Sequence, residues 1–331
     1  MTVLVTGGAG YIGSHLVLAL VDAGRKVVVL DNLSTGFRWV VPPGVTLIEG
    51  DCGDEALVEE IIGAHAIEAI AHFAGSIVVP DSVTDPLGYY LNNTVKSRAL
   101  ISAAVKTNVR NFIFSSTAAV YGDASENPIS ETATLQPLSP YGSSKLMTEI
   151  MLRDTATAHP FHYVALRYFN VAGADPQGRS GQSSRRATHL IKVATQAALR
   201  ERSHVDIFGT DYPTPDGTCL RDYIHVSDLA EAHLRALDYL AAGGTSTVLN
   251  CGYGRGHSVF EVIDAVKRVS GTDFPAVRMD RRAGDPAMLV AGADRIRETL
   301  GWRPALDDLD TIIAHALAWE RRLAEMGEQP A

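Results

Sequence analysis

Positive charge and long apolar runs are both scarce in this sequence of 331 residues. With 29 Lys and Arg against 38 Asp and Glu, the formal net charge is −9, so no overall electrostatic attraction to nucleic acid or to an anionic membrane is expected. No segment approaches the roughly 20 apolar residues that span a bilayer. We therefore expect neither nucleic acid nor a membrane as a partner, and any anionic ligand must be held by local positive groups.

Cysteine is equally scarce. Cys52, Cys219 and Cys251 are few, odd in number and far apart, which excludes a disulfide framework or a paired-cysteine metal site. The histidines show no metal-ligand spacing either, so we expect no metal. Met1 runs directly into a strand-like apolar segment without a charged leader or a cleavage site. These features predict a reduced, cytoplasmic protein.

Short apolar runs alternate with helical patterns through the first half of the chain. The predicted strands are Val3–Val5, Lys26–Leu30, Thr46–Glu49, Ala69–Phe73, Phe112–Ser115 and Tyr163–Arg167. The predicted crossover helices are Tyr11–Ala23, Asp54–Gly63 and about Tyr89–Lys106, with another after Tyr141. This alternation is typical of a parallel sheet covered on both faces. The predicted fold class is therefore α/β, a Rossmann-type doubly wound parallel sheet.

The sequence pattern changes near residue 171, where loops rich in Gly, Pro and Asp separate shorter predicted strands and helices. Such loops cover residues 173–184, 209–218 and 252–256. We predict a first domain over residues 1–170 and a smaller C-terminal, substrate-binding lobe mainly over 171–331. Segments between about 220 and 250, such as Tyr223–Leu229 and Thr247–Asn250, are expected to return to the first domain.

A glycine-rich turn follows the first predicted strand and opens the first predicted helix. Gly7, Gly10 and Gly13 keep a three-residue spacing. In a dinucleotide-binding turn the first glycine permits the tight turn, the second a close approach to the pyrophosphate, and the third close packing of the helix on the sheet. The helix N-terminus then offers free N–H groups to phosphate. The order of strand, turn and helix favours a dinucleotide site over an ordinary Gly-rich turn.

Two acidic residues close the next strands. Asp31 lies about 20 residues after the glycine turn, where a carboxylate binds the adenosine ribose and repels a 2′-phosphate, which favours NAD over NADP. The alternative for Asp31 is that it only caps a strand-end turn. Asp51, after the third strand, is a second candidate near the adenine.

Tyr141 and Lys145 stand four residues apart, on one face of a predicted helix. A neighbouring ammonium stabilises a phenolate and lowers the pKa of Tyr toward the range of a general base. Thr117 ends the segment Ser115–Thr117, just past the fifth strand, at the edge where doubly wound sheets bind ligands. Its hydroxyl is placed to bond a reacting oxygen of a bound substrate; the alternative is a simple turn or helix cap.

These motifs, with others further along, resemble the bacterial UDP-glucose 4-epimerases, a family of extended short-chain dehydrogenases. The matching segments run in order through nearly the whole chain: VLVTGGAGYIGSH at 3–15, LDNL at 30–33, HFAG at 72–75, NFIFSS at 111–116, SPYGSSKL at 139–146, LRYFN at 166–170, IFGTDYPT at 207–214 and RDYIHV at 221–226. The resemblance implies transient oxidation at carbon 4 of a UDP-hexose with bound NAD, which interconverts UDP-galactose and UDP-glucose. It also implies NAD binding by residues 1–170, UDP-sugar binding by the C-terminal lobe, and a homodimer.

The resemblance assigns roles to individual residues. Tyr141 is the base, Lys145 its partner, and Thr117 takes the place of the family's Ser as the second hydroxyl. The implied NAD contacts are Gly7, Gly10, Tyr11, Ile12, Gly13, Asp31, Asn32, Asp51, Cys52, Phe73, Ala74, Asn92, Tyr141, Lys145 and Phe169. The implied UDP-sugar contacts are Thr117, Tyr141, Asn170, His189, Phe208, Arg221, Arg282 and Asp285. Arg221 and Arg282 would supply local positive charge for a diphosphate; without a ligand, Arg281 and Arg282 would be a solvated pair.

The sequence departs from the family at three places. Many relatives have a Lys reaching the NAD phosphates after Ala74-Gly75, whereas this chain has Ser76-Ile77, so NAD is expected to be held differently or less tightly. His189 stands where relatives have Asn. Leu289 stands near a position where some relatives have a bulky Tyr that limits substrate size.

Several functions share these motifs. A UDP-pentose (xylose or arabinose) or UDP-N-acetylhexosamine 4-epimerase would keep almost every residue. A 4,6-dehydratase is disfavoured, because relatives of that type have an Asp-Glu pair where this chain has Ala118-Ala119. A non-catalytic NAD-sensing scaffold is the distant alternative, since fold alone does not establish activity.

Overall fold

The centre of the computed structural model, which describes residues 1–184, 188–282 and 285–327, is a seven-stranded sheet in which every pairing is parallel. The strands are β1 Thr2–Thr6, β2 Lys26–Asp31, β3 Thr46–Glu49, β4 Ala69–His72, β5 Asn111–Thr117, β6 His162–Tyr168, β7 Asn170–Ala172, β8 Val205–Phe208, β9 Leu220–His225, β10 Thr247–Cys251, β11 Gly256–Ser258, β12 Ala276–Met279 and β13 Met288–Leu289. The main sheet has the order β10-β6-β5-β4-β1-β2-β3. The predicted α/β fold class is confirmed.

Helices connect these strands. They are α1 Tyr11–Asp22, α2 Glu55–His65, α3 Val79–Thr84, α4 Pro86–Tyr89, α5 Lys96–Lys106, α6 Pro140–Ala158, α7 Leu190–Ala198, α8 Val226–Ala241, α9 Val259–Ser270, α10 Asp294–Leu300 and α11 Leu309–Glu325. Short 3₁₀ turns cover Arg38–Val40 and Ala118–Val120. Throughout the described ranges, none of these helices combines the length and the apolarity needed to cross a membrane.

Both faces of the main sheet are buried, which explains why its strands are nearly continuous apolar runs. In β1, Val3 and Val5 face a core shared with α1 and α8, whereas Leu4 faces a second core shared with α2, α5 and α6. This alternation follows from the two-residue period of a strand. Because all strands of this sheet are parallel, their carboxyl ends lie along one edge.

The predicted helix Tyr89–Lys106 differs from the structure, because Tyr90–Val95 forms a π-helical segment before α5 begins. The buried Asn93 explains the wider turn. Its amide nitrogen donates to the Ser76 carbonyl at 2.9 Å and to Ser144 Oγ at 3.0 Å, and its Oδ1 accepts from the Ser76 N–H at 2.7 Å. The segment thus joins the loop after β4 to α6, and such π-helical turns are often functional.

A second group of elements covers the carboxyl edge of the main sheet. Strands β11, β9 and β13 pair in that order, β7 pairs with β9, and β8 pairs with β12. Helices α7, α9 and α11 share a separate apolar core with them. The segment Tyr223–Leu229 is divided between two elements. Tyr223–His225 belongs to β9, in the sheet with β11 and β13. The rest belongs to α8, which packs against α1. Strand β10 pairs with β6 in the main sheet.

Candidate active site

Most of the predicted cofactor residues, together with the predicted catalytic residue Thr117, lie at the carboxyl ends of strands β1 to β6, whereas Asn92, Tyr141 and Lys145 lie on helical segments. Five of them, Gly7, Gly10, Tyr11, Ile12 and Gly13, follow β1; Asp31 ends β2 and Asn32 follows it; Asp51 and Cys52 follow β3; Phe73 and Ala74 follow β4; Thr117 ends β5; Phe169 follows β6. Parallel strands bring these ends to one edge of the sheet. The structure therefore gathers residues that are up to 162 positions apart, as with the Tyr11 hydroxyl, which donates to the Gly173 carbonyl at 2.7 Å.

The glycine turn leaves no room for side chains at two positions. A Cβ on Gly7 would lie 2.6 Å from the Ala74 nitrogen, and Gly7 has a φ of +73°. A Cβ on Gly13 would lie 2.2 Å from the Gly7 carbonyl oxygen. Gly10 precedes α1 as its N-cap, and no side chain caps that helix. The first N–H groups of α1 remain available to a phosphate, so this turn fits a dinucleotide.

Asp31 is buried and holds the glycine turn. Its two carboxylate oxygens accept the Ala9 and Leu33 N–H groups, each at 2.9 Å. Each oxygen retains a lone pair, because a carboxylate offers about four acceptor sites. The turn-capping role and the ribose-binding role are therefore compatible. Beside it, Asn32 accepts from the Ser34 N–H at 3.1 Å.

Asp51 is paired with Lys96, a residue that the sequence did not single out. Lys96 Nζ lies 2.5 Å from Asp51 Oδ2. Burial raises the pKa of Asp51, but the hydrogen bonds from Lys96 and from the Gly53 N–H outweigh it and leave the pKa below its usual value. Burial raises the pKa of the neighbouring Cys52 thiol to about 12. Asp51 is therefore an ionised acceptor and Cys52 a neutral, apolar wall.

Two further predicted cofactor residues are Phe73, directly after β4, and Asn92, in the π-helical segment. The Asn92 amide donates to Ser76 Oγ at 2.9 Å, so the loop that replaces the family's Lys is tied to the π-helical segment. Ile77 in that loop is exposed. The Phe73 ring packs on His233, with centroids 4.8 Å apart.

Tyr141 and Lys145 lie in the first two turns of α6, a helix begun by Ser139 and Pro140. Ser139 Oγ accepts from the Gly142 N–H at 3.2 Å and Pro140 occupies the first turn, as helix N-termini favour. Tyr141 is 7% exposed and Lys145 is 3% exposed. One face of this helix thus presents both groups to the end of β5.

Thr117 completes this group. Its Oγ1 accepts from the Ala119 N–H at 3.1 Å, and its hydroxyl lies beside the Tyr141 phenol. Burial raises the pKa of Tyr141 to about 12, and the Thr117 hydroxyl opposes that shift. Burial lowers the pKa of Lys145 to about 8, opposed by the charge of Glu149. A positive charge held near the phenol would favour its ionised form.

The predicted UDP-sugar residues form pairs in the second group of elements. Arg221 Nη2 lies 2.5 Å from Asp285 Oδ1. The Arg282 guanidinium stacks on the Phe208 ring, 3.6 Å from its centroid. Planar guanidinium groups held in this way suit bidentate binding of phosphate. Arg282 is exposed and stacked on Phe208, so its role in binding a diphosphate stays a prediction.

Asn170 and His189 line one small cavity of about 20 Å³, together with Gln182. Gln182 Nε2 lies 2.8 Å from His189 Nδ1, which leaves Nε2 of the imidazole for another partner. Asn170 in β7 is in register with Tyr223 in β9, two residues from Arg221. Thr117 is in register with Tyr168 of β6, two residues before Asn170, so strand pairings connect Thr117 with the neighbourhood of Arg221 in β9.

Three residues of the site were missed from the sequence: Asn93, Lys96 and Glu149. Glu149 continues the four-residue spacing of Tyr141 and Lys145, and Lys96 stands four residues after Asn92. The four-residue spacing typical of a helix could therefore have identified Lys96 and Glu149 as site residues. Among the described residues, no group of His, Cys, Asp and Glu side chains is arranged to hold a metal ion.

Known proteins match this chain over nearly its whole length. The 58% identical UDP-glucose 4-epimerase of Azospirillum brasilense aligns with 98% of this chain and 93% of its own. The crystal structure of UDP-glucose 4-epimerase from Brucella ovis in complex with NAD is 44% identical, covers 96% of this chain and 97% of that chain, and superposes with a TM-score of 0.93. The UDP-Glc/GlcNAc 4-epimerase of Campylobacter jejuni is 46% identical, with coverage of 97% and 99% and a TM-score of 0.85.

The family assignment rests on these matches together with a family model. The model described as the NAD dependent epimerase/dehydratase family matches residues 3–252, which include the glycine turn, Thr117, Tyr141 and Lys145. The resemblance predicted from the motifs is confirmed, and the chain belongs to the NAD dependent epimerase/dehydratase family.

Proposed function

We propose that this chain acts as a UDP-glucose 4-epimerase, interconverting UDP-galactose and UDP-glucose with bound NAD. The observation that carries the proposal is the buried group of Thr117, Tyr141 and Lys145 beside a turn shaped for a dinucleotide. Relatives of that name are 43–58% identical over nearly the whole chain. Fold, chemistry and kinship thus support one activity.

The two parts of the chain divide the ligands between them in this proposal. Residues 1–170, with the later strand β10 and helix α8, hold NAD along the carboxyl edge of the main sheet. The remainder, mainly residues 171–331, holds the UDP-sugar. The cofactor contacts and substrate contacts predicted from the sequence are retained as the proposed binding sets.

The residues of the site perform proton transfer and positioning. Tyr141 Oη takes the proton of the sugar's 4-hydroxyl, and Thr117 Oγ1 bonds the same oxygen and holds it in line. The ammonium of Lys145 stabilises the phenolate while it carries the charge. NAD, when bound, supplies the reversible acceptor for the hydrogen on carbon 4. Tyr141 returns its proton after the sugar has turned its other face to the cofactor.

The second sheet holds the nucleotide while the hexose turns. Arg221, Arg282 and Phe208 form the anion-binding surface for UDP, with Asp285 fixing the Arg221 fork. Binding energy from this part of the substrate, remote from carbon 4, retains the oxidised sugar in the pocket. Inversion at carbon 4 requires that UDP is bound tightly and that the hexose is bound weakly enough to rotate.

A UDP-N-acetylhexosamine 4-epimerase is the second candidate, and one structural feature favours it. Leu289 in β13 is in register with Arg221 in β9, so a mid-sized aliphatic side chain stands beside the proposed substrate site. The Campylobacter jejuni relative carries both activities in its name. UDP-pentose is the third substrate class that the same residues would accept.

Purified protein mixed with UDP-galactose, without added cofactor, is expected to form UDP-glucose, which chromatography resolves. Product without added NAD would support tightly held cofactor, and product only after NAD is added would support the looser binding expected from Ser76-Ile77. UDP-pentose and UDP-N-acetylhexosamine are run in parallel to order the three substrate classes. A folded protein that converts none of them, with NAD present, would overturn the enzymatic proposal and leave the non-catalytic scaffold.

We propose that the protein is a homodimer formed through α4, the π-helical segment and α6. These adjacent elements expose apolar side chains that a monomer would leave in water: Leu87, Leu91, Val95, Met147 and Ile150, which are 40–78% exposed. Thr94 lies against Met147, with 4.0 Å between Oγ1 and Sδ, and α4, the π-helical segment and α6 contact one another, so these exposed apolar side chains belong to neighbouring elements. Patches of this kind mark protein–protein interfaces.

The double substitution Leu91→Glu and Met147→Glu is expected to convert a dimer into a monomer. Two like charges on each copy would face each other across a symmetric interface, where unpaired charges are costly. Light scattering coupled to gel filtration measures the mass. Val277→Glu, at an exposed apolar residue of β12, is the control and is expected to stay dimeric. Unchanged mass for the double variant would exclude this face as the interface.

We also propose a cytoplasmic location. All three cysteines are buried free thiols, as expected for a protein folded in a reducing compartment. Neither nucleic acid nor a membrane surface is proposed as a partner, in keeping with the acidic composition.

A further inference from the structure

Three consecutive residues of β5 each contact one residue of a single face of α6. The Ser115 carbonyl accepts from Lys145 Nζ at 2.9 Å. Ser116 Oγ donates to Glu149 Oε1 at 2.5 Å. The Thr117 hydroxyl lies beside the Tyr141 phenol and opposes the rise of its pKa. We call these the β5–α6 contacts. Those of Ser115 and Thr117 involve Lys145 and Tyr141, which take part in the proposed reaction. The contact of Ser116 involves Glu149, which has no part in that reaction.

Glu149 is itself fixed by a buried ion pair with Arg167 of β6. Arg167 Nε lies 3.0 Å and 3.2 Å from the two carboxylate oxygens, and Nη2 lies 2.5 Å from Oε2. Glu149 is 5% exposed and Arg167 is 4% exposed. Such a bidentate arrangement restricts both side chains to one geometry.

The pair continues into a hydrogen-bonded chain across the sheet. Arg167 Nη1 donates to Tyr121 Oη at 3.0 Å, and Tyr121 Oη donates to Asn250 Oδ1 at 2.6 Å. Asn250 Nδ2 in turn donates to the Ile129 carbonyl at 2.7 Å. Strands β6 and β10, the 3₁₀ turn after β5 and helix α6 are thereby tied together behind the site.

Stability alone does not account for this arrangement. Taking a carboxylate and a guanidinium out of water costs several kcal/mol per ion, and apolar side chains of similar volume are often as stabilising. What apolar side chains would not supply is an acceptor for the Ser116 hydroxyl or a fixed register between β5 and α6. Register is the property on which the Thr117–Tyr141 and Ser115–Lys145 contacts depend.

We propose that Glu149 and Arg167 are positioning residues, which hold the Thr117 hydroxyl, the Tyr141 phenol and the Lys145 ammonium in reacting geometry through the Ser116–Glu149 hydrogen bond. The inference rests on the proposed epimerase function. A displacement of reacting groups by about 1 Å lowers the rate about a hundredfold. Because Ser116 lies between Ser115 and Thr117, its hydrogen bond to Glu149 fixes the positions of both neighbours and thereby controls kcat. Neither residue touches the proposed UDP-binding surface, so UDP affinity is independent of it.

Charge adds a second consequence. Lys145 is faced by Glu149 from α6 and by His72 from β4, while Tyr168 of β6 faces Tyr141. Burial and Lys145 lower the pKa of His72 to about 3, so it stays neutral. Glu149 is therefore the anion that favours charged Lys145. Its removal leaves Arg167 uncompensated and lowers the pKa of Lys145 further.

The test compares Glu149→Gln and Ser116→Ala with Asp228→Asn in the full-length protein. Asp228 is also 5% exposed, and its carboxylate accepts from Tyr253 Oη and the Ala305 and Leu306 N–H groups, outside the β5–α6 contacts. It matches Glu149 in burial and in accepting from three donor groups, but these donors are neutral, whereas Glu149 is ion-paired with Arg167. Ser116→Ala removes the single bond to Glu149 and leaves the ion pair, so it folds even if Glu149→Gln does not.

We measure kcat and KM for UDP-galactose across pH, UDP affinity by calorimetry, and the melting temperature. Glu149→Gln is expected to lower kcat about fiftyfold and to move the alkaline limb of its pH profile to lower pH. Ser116→Ala is expected to lower kcat about fivefold with the limb unmoved. UDP affinity stays within about twofold in both, and Asp228→Asn melts earlier with unchanged kcat and pH profile.

If both variants keep wild-type kcat per folded molecule, or lose it no more than Asp228→Asn does, the inference is overturned. The same holds if UDP affinity falls together with kcat, since that would indicate general disorder of the site. An inactive wild-type protein would instead reject the proposed function, so the two failures are distinguishable.

Discussion

Replacing Tyr141 with Phe is expected to lower kcat for UDP-galactose by about 10²–10⁴-fold, the usual contribution of a general acid–base group. The ring keeps its place in the first turn of α6, but the oxygen that takes the proton of the 4-hydroxyl is gone. UDP affinity should be unchanged, because the proposed UDP-binding residues Arg221, in β9, and Arg282, after β12, lie outside α6. Turnover followed by chromatography and UDP binding followed by calorimetry measure the two effects separately.

Tyr163→Phe is the matched control, since Tyr163 is 6% exposed, against 7% for Tyr141. It lies in β6 and packs in the core on the α2, α5 and α6 side, away from the proposed chemistry. We expect it to keep wild-type kcat. Retained activity in Tyr141→Phe would reject Tyr141 as the base and direct attention to Thr117.

The fold was predictable from the sequence wherever one local pattern decided the structure. The buried strands Val3–Val5 and Lys26–Leu30 are apolar runs because both faces of the sheet are covered, and the structure has them as β1 and β2. The glycine turn and the Tyr141–Lys145 spacing are equally local, since each depends on residues within a few positions. These features needed no knowledge of distant contacts.

Features made by distant contacts were not predictable from local patterns. Arg221 and Asp285 are 64 positions apart; the family resemblance assigned each to the UDP-sugar site, but no sequence pattern predicted that they pair. The π-helical turn at Tyr90–Val95 reads as ordinary helix, because the contacts of Asn93 with Ser76 and Ser144 that accompany it come from two other elements. Likewise Glu149 reads as a surface acid on a helix until β5 and β6 are placed behind it.

Gly13→Ala is expected to release NAD and abolish most activity. Its Cβ would lie 2.2 Å from the Gly7 carbonyl oxygen, a backbone atom held by the turn that would have to move. Overpacking costs about 1–3 kcal/mol even where side chains can adjust. Such a loss at the phosphate-binding turn weakens NAD affinity about ten- to a hundredfold. The measurement is NAD per chain, determined by chromatography after the protein is denatured.

Gly63→Ala separates this effect from the general cost of replacing a glycine by alanine. Gly63 is exposed in α2 and a Cβ there meets nothing within 4 Å, so the change should keep NAD and raise the free energy of unfolding by up to about 1 kcal/mol. The expected pattern is therefore NAD lost from one alanine variant and retained by the other. A Gly13→Ala protein that keeps its NAD would show that the turn relaxes without cost, and that the dinucleotide is held chiefly by Asp31 and the strand ends.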